Sequence, residues 1–114
     1  MPILNDPRIQ IVSIDLLWNG LSESVKIAHR AIAHGKKVAI HNYYGGLATS
    51  MALNFLSLLP PEHLELVEFD FDDVPWRDNI IANPAKFENG FLSLDLGLGW
   101  SSDLNLQAAQ DFMQ

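Results

Sequence analysis

Residues 38–46 read VAIHNYYGG. Val38, Ala39 and Ile40 have the composition of a buried strand, and the chain then passes at once to an imidazole, an amide and two phenols. An ionisable side chain at the last position of a strand stands at the edge of a sheet, where binding sites are built. Whether His41 marks such an edge depends on how the neighbouring strands end.

Two further runs, IQIVSI (9–14) and LELV (64–67), have the same apolar character, and the residues that follow them are Asp15 and Glu68. The three ionisable ends lie 26 and 27 residues apart, which makes them one strand–helix unit repeated. Between the first two strands, GLSESVKIAHRAIAHG (20–35) puts Leu21, Val25, Ala28 and Ile32 on one helical face. Ser22 is the expected N-cap, Glu23 suits the positive helix start, and Gly35 suits the stop. Between the second and third, GGLATSMALNFLSLLPP (45–61) repeats Leu47, Met51, Phe55 and Leu58 at helical spacing, and Pro60–Pro61 end the helix. The order β-α-β-α-β predicts parallel strands joined by right-handed crossovers.

Parallel strands bring Asp15, His41 and Glu68 to one edge, with neighbours about 4.8 Å apart, so Asp15 and His41 are expected within hydrogen-bond reach. Side-chain alternation gives Ser13, Ala39 and Leu66 the same face as these three residues. Val12, Ile14, Val38, Ile40, Val67 and Phe69 take the other, which both helices would cover. The first face is left bare, as inside a barrel wall, and three strands cannot close a barrel. The expected fold is therefore α/β, either part of a larger (β/α) barrel or a chain completed by oligomerisation. The alternative is a small open sandwich whose remaining segments cover the bare face. Residues 1–114 form one unit, with the strand–helix repeats over 9–69 and an irregular segment over 70–114.

In that last segment, FENGFLSL (87–94) carries Asn89-Gly90 between apolar flanks, the signal of a two-residue hairpin. DDVPWRDNII (72–81) reads as a loop, and DLGLGW (95–100) as a structural turn, because it opens no helix and lacks the lysine of a phosphate loop.

The 114 residues contain no cysteine, so disulfides and thiolate metal sites are excluded and a cytoplasmic setting is expected. No apolar run approaches the about 20 residues of a membrane helix, and MPILNDPR does not resemble a secretory signal. The net charge of −7 is uneven: residues 1–60 carry five Lys/Arg against three Asp/Glu, residues 61–114 two against eleven. With no basic stripe, nothing favours a nucleic-acid partner. The acidic FDFDD (69–73) lacks the spacing and glycine of a calcium loop and reads as solvated surface.

On the residues alone, a strand-end His near an Asp is more often a structural hydrogen bond than a general base. Trp18, Asn42 and Tyr43 follow the same strand ends, where they could meet a substrate or only pack on neighbouring loops. His29, His34 and His63 have no partner that would make them functional.

The stretch VSIDLLWNGLSESVKIAHRAIAHGKKVAIHNYYGGLATSMALNFLSLLP, together with VEFDFDDVPWRDN and FENGFLSLDLGLGW, resembles the late barrel strands and C-terminal segment of the enolase superfamily, in its mandelate racemase and muconate lactonising branch. The resemblance runs from about Asp6 and covers only the C-terminal third or so of such an enzyme. It implies a role for each strand end. His41 would move the proton α to a carboxylate, Asp15 would orient it, and Glu68 would hydrogen-bond the developing enolate. Trp18, Asn42 and Tyr43 would be substrate contacts. Ile14 and Ile40 stand where proline is frequent, and Asn19-Gly20 where two glycines are usual; none of these is a reacting group. The family's Mg²⁺ carboxylates and catalytic lysines belong to earlier strands, and its capping domain to the N-terminus, so no metal is expected on this chain alone. The implied whole is a Mg²⁺-dependent racemase or dehydratase acting on a small carboxylic acid such as an acid sugar, with this chain inactive by itself. The rival readings are a stand-alone, non-catalytic oligomerising module, and one half of a split enzyme.

Overall fold

The computed structural model describes residues 2–113 apart from 73, 75, 76, 78 and 96. After a 3-10 turn at Pro2–Asn5, the chain forms β1 (Ile11–Asp15), α1 (Leu16–Ala33), β2 (Lys37–His41), α2 (Gly46–Leu56), a 3-10 turn at Pro61–His63 and β3 (Leu64–Val67). The strands make a parallel sheet in the order β1-β2-β3. A hairpin, β4 (Lys86–Glu88) and β5 (Phe91–Ser93), and a short helix α3 (Leu106–Asp111) complete it.

Burial follows the alternation read from the sequence. Ile14, Val38 and Ile40 are buried and pack with Leu16, Ala28, Ala31, Ala52, Phe55, Leu56 and Leu59 in one core between sheet and helices. Ser13 and Leu66, on the other face, are exposed. One irregularity matters. Val38 pairs with Leu64 and Ile40 with Val67, so two residues of β2 span three of β3, and the ladder bulges between them. The extra residue leaves Glu65 and Leu66 exposed together and lets both Leu64 and Val67 pack against the core.

The helices differ from expectation in where they start and stop. Asp15, not Ser22, caps α1: its Oδ1 accepts from the Trp18 N–H at 3.0 Å. Non-helical angles at Gly20 (φ 71°, ψ 162°) then break the helix, and the longer piece resumes at Leu21, with Ser22 inside it. The buried line of α1 is Ser24, Ala28 and Ala31, and Leu21 is exposed. Small residues at this line let the helix approach the sheet and α2 closely. α2 ends at Leu56, two residues before Leu58, the last of the expected pattern, and Leu58 is exposed.

The Asn89-Gly90 hairpin forms as expected, with positive φ at both residues (52° and 82°), the conformation a two-residue turn of this hand requires. Leu98–Ser101 is a turn, closed by the Ser101 N–H donating to the Leu98 carbonyl at 3.1 Å. Residue 96 of DLGLGW, and residues 73, 75, 76 and 78 of the FDFDD and DDVPWRDNII stretches, lie outside the described residues. α3 has no counterpart in the sequence expectations; Asn105 caps it, accepting from the Ala108 N–H at 3.1 Å.

Candidate active site

Asp15 and His41 are directly opposite one another in the β1–β2 register. Glu68 follows β3 by one residue, and its N–H donates to the Ile40 carbonyl at 3.1 Å, so the chain is still tied to β2 there. The three strand ends therefore meet at one edge. His41 Nδ1 lies 2.5 Å from Glu68 Oε2, and His41 Nε2 lies 3.9 Å from Asp15 Oδ2. The imidazole thus stands between two carboxylates, one in close contact and one within ion-pair distance but beyond a hydrogen bond.

Asp15 is occupied on both oxygens. Oδ1 caps α1, and Oδ2 accepts a hydrogen bond from the Tyr44 hydroxyl. The Tyr44 ring stands edge-on to the imidazole, with centroids 5.8 Å apart and planes at 81°. The hydrogen bond to Asp15 holds the Tyr44 hydroxyl's pKa above its ordinary value, with burial and the Asp15 and Glu68 charges adding to it. The Trp18 indole N–H acts the other way. His41 and Glu68 are each about half exposed (46% and 45% of their side chains), whereas Asp15 is mostly covered at 17%.

The expected substrate contacts separate into two kinds. Trp18 and Tyr43 are exposed. The Tyr43 hydroxyl donates to Asp72 Oδ2 at 3.1 Å, and that bond raises its pKa, with the Asp70 and Asp72 charges in support. Asn42 is instead buried, at 3% exposure. Its Nδ2 donates to Thr49 Oγ1 at 2.8 Å and to the Glu68 carbonyl at 3.2 Å, and its backbone N–H donates to Glu68 Oε2 at 3.0 Å. Asn42 therefore fastens α2 to the end of β3 and fixes the Glu68 carboxylate. Tyr44 is the residue the sequence reading passed over. Strand alternation stops at His41, and which of two adjacent phenols turns back toward Asp15 is decided by the loop.

A cleft beside this edge is lined by Asn42, Gly45, Gly46, Asp70 and Arg77. Arg77 pairs with Asp70 and donates to the Asp72 carbonyl, and its side chain lies over Gly45, where a methyl group would collide with Cγ and Cδ. Gly45 has φ 105°, which side-chain-bearing residues rarely adopt. The tail after β3 is locked onto the start of α2 in this way. Among the described residues, no three His, Asp or Glu side chains are grouped so as to hold a metal ion. The site residues themselves therefore do not fit a Mg²⁺ centre, and no described helix is long and apolar enough to cross a membrane.

The sequence profile of the enolase C-terminal domain-like family matches residues 1–109. The chain belongs to that family. Solved structures of the mandelate racemase and muconate lactonising branch are among its neighbours. The chain is 28% identical to the D-galactarolactone cycloisomerase of Agrobacterium fabrum over 96% of its own length and 31% of that enzyme's. It superimposes with a TM-score of 0.87 and 33% identity on a Burkholderia xenovorans protein assigned as an L-alanine-DL-glutamate epimerase, covering 96% of this chain and 27% of that one in the structure bound to magnesium and fumarate. An enolase of the mandelate racemase subgroup from Agrobacterium tumefaciens gives a TM-score of 0.73 at 28% identity, covering 90% of this chain and 28% of that one. This enolase-family chain thus spans less than a third of the length of the relatives it matches.

Proposed function

We propose that the chain is the late-strand portion of a (β/α)-barrel enzyme that removes the proton α to the carboxylate of a small acid, an acid sugar being the leading class, with racemisation or dehydration as the outcome. One observation carries this reading: an accessible imidazole flanked by two carboxylates, 2.5 and 3.9 Å away, at the C-terminal edge of a parallel sheet. His41 is the proton-transfer group. Its neutral form takes the α-proton as the C–H electrons pass into the enolate, and its protonated form returns a proton to carbon or to a departing hydroxyl. Glu68 contacts the ring at Nδ1 and Asp15 flanks it 3.9 Å from Nε2, and Glu68, exposed beside the ring, would in its protonated form donate a hydrogen bond to the developing enolate oxygen.

Acid–base help of this kind gives roughly 10²–10⁴-fold, far less than the dianionic enolate demands. The remainder is electrostatic, and a bound Mg²⁺ ion would supply it as charge stabilisation of the enolate. The binding of magnesium and fumarate by the Burkholderia xenovorans relative supports that cofactor and a carboxylate ligand. Its ligands would then come from outside this chain, whose described residues group none. The same outside portion would supply the strands that cover the bare face of β1–β3; a homo-oligomer doing so is the second reading.

The test is exchange of the α-proton for deuterium, followed by NMR across a panel of acid sugars, with Mg²⁺ and the longer protein that contains this chain. His41→Asn is expected to lower exchange by at least about 10²-fold while the fold is kept. Undiminished exchange in that variant would remove His41 from the reaction.

A further inference from the structure

The sequence contains two Asn-Gly steps, Asn19-Gly20 and Asn89-Gly90. Such a step carries chemistry of its own. The backbone nitrogen that follows an asparagine can attack the side-chain amide carbon, and glycine leaves it unobstructed because it has no Cβ. The fold treats the two steps differently. Asn19 lies in the first turn of α1, which Asp15 caps, and its Nδ2 donates to the Asp15 carbonyl at 2.7 Å. Asn89 is exposed at the tip of the β4–β5 hairpin, and among the described residues its side chain has no hydrogen-bond partner. The hairpin has three residues in each strand, nearly all of them exposed. A two-stranded ribbon this short is marginal by itself, so its turn opens at little cost and Asn89 reaches the attacking geometry.

We propose that Asn89 is a site of spontaneous covalent modification, whose isoaspartyl product unfastens the β4–β5 hairpin from the end of β3. The Gly90 nitrogen gives its proton to solvent and bonds to Asn89 Cγ; the Cγ–Nδ2 bond breaks, and ammonia leaves. The product is a cyclic succinimide. Water then adds to either imide carbonyl and breaks that carbonyl's bond to the Gly90 nitrogen. Opening at Cγ gives aspartate. Opening at the backbone carbonyl leaves the main chain routed through Cβ and Cγ, which is isoaspartate. Both products place a carboxylate where the neutral amide stood.

The two products differ in what they do to the fold. Aspartate suits a two-residue turn as asparagine does. Isoaspartate adds a main-chain carbon between Glu88 and Phe91, the pair that closes the turn, and the pairing of Phe87 with Leu92 slips with it. Phe87 joins the hairpin to the chain beyond β3. Its ring stacks on that of Phe69, with centroids 5.5 Å apart and planes at 13°, and meets Phe71 edge-on at 4.9 Å. Phe69 directly follows Glu68, so the change reaches the strand end that carries the candidate site. No step in it needs His41 or the proposed proton abstraction.

The test is incubation of the chain at mildly alkaline pH in ¹⁸O water, then tryptic digestion and mass spectrometry with fragmentation that separates isoaspartyl from aspartyl residues. Residue 89 is expected to lose its amide and gain ¹⁸O, with isoaspartate in excess. Residue 19 should convert at least about tenfold more slowly, the worth of the hydrogen bond that must open there. Equal conversion at the two steps, or faster conversion at Asn19, overturns the assignment of the site. The consequence for the fold is read by NMR on the chromatographically separated products. Contacts between the Phe69 and Phe87 rings should persist in freshly prepared Asn89→Asp, which is the aspartyl product made by substitution, and be lost in the isoaspartyl chain. Contacts kept in the isoaspartyl chain, or lost equally in Asn89→Asp, show that the extra main-chain carbon does not release the hairpin.

Discussion

Tyr43 and Tyr44 are the two tyrosines of the chain and both donate a hydrogen bond to an aspartate, Asp72 and Asp15. Each bond exists only while the phenol keeps its proton, and a phenolate would face a carboxylate instead. Both pKa values are therefore raised above the ordinary 10.0, by the hydrogen bond first and by neighbouring negative charge in support. The direction fixes the pH window. A raised folded pKa contributes stability that is fully present below the unfolded value near 10.0 and is lost as pH climbs through the folded one. The near-ultraviolet tyrosinate signal of the folded chain should accordingly titrate later than in denaturant. In Tyr44→Phe the one remaining phenol, Tyr43, should still titrate late. A folded-state titration coincident with the denatured one would mean that neither hydroxyl is held by its aspartate in solution.

At the scale of elements, the β2–α2 junction joins the site to the tail. Gly45 lies under the Arg77 side chain with φ 105°, so Gly45→Ala meets both a backbone penalty and a collision. A loss of about 1–3 kcal/mol in urea unfolding is expected, with only part recovered when Arg77→Ala removes the obstacle, because the strained φ remains. This junction also shows what the sequence could and could not disclose. Alternation in IQIVSID and KVAIH was enough to bury Ile14, Val38 and Ile40 and to bring Asp15 and His41 into register, because period-two patterning and parallel pairing are local consequences of the chain. The bulge opposite Ala39 was hidden, since an extra residue in LELV leaves no mark on composition. Of the expected α1 face, Ala28 is buried and Val25 and Ile32 pack against the core, whereas Leu21, next to the break at Gly20, is exposed. Where Asn42 and Tyr44 point, one inward and the other to Asp15, is set by loop geometry and not by periodicity.

The whole molecule is not a closed body. Its radius of gyration is 15.5 Å, with extents of 50 × 28 × 27 Å, against roughly 13 Å for a compact domain of this length. The two outer strands, β1 and β3, each pair on one side only within the sheet, and Ser13 and Leu66 lie exposed on the face away from the helices. Half of the backbone groups along each outer strand therefore lack a ladder partner, an arrangement that invites further strands. The chain also holds the acid–base residues of the proposed reaction, while its described residues group no metal ligands. Both features lead to one expectation for the 114 residues by themselves. With Mg²⁺ present they should show no α-proton exchange, and amides at alternate positions of β1 and β3 should exchange with solvent much faster than those of β2. In a longer protein that completes the proposed barrel, the same amides should become protected as the His41-dependent exchange of substrate appears. Fast exchange at those positions in an active longer protein would mean that the sheet edges stay open, and that the missing charge stabilisation reaches His41 by some route other than completion of a barrel.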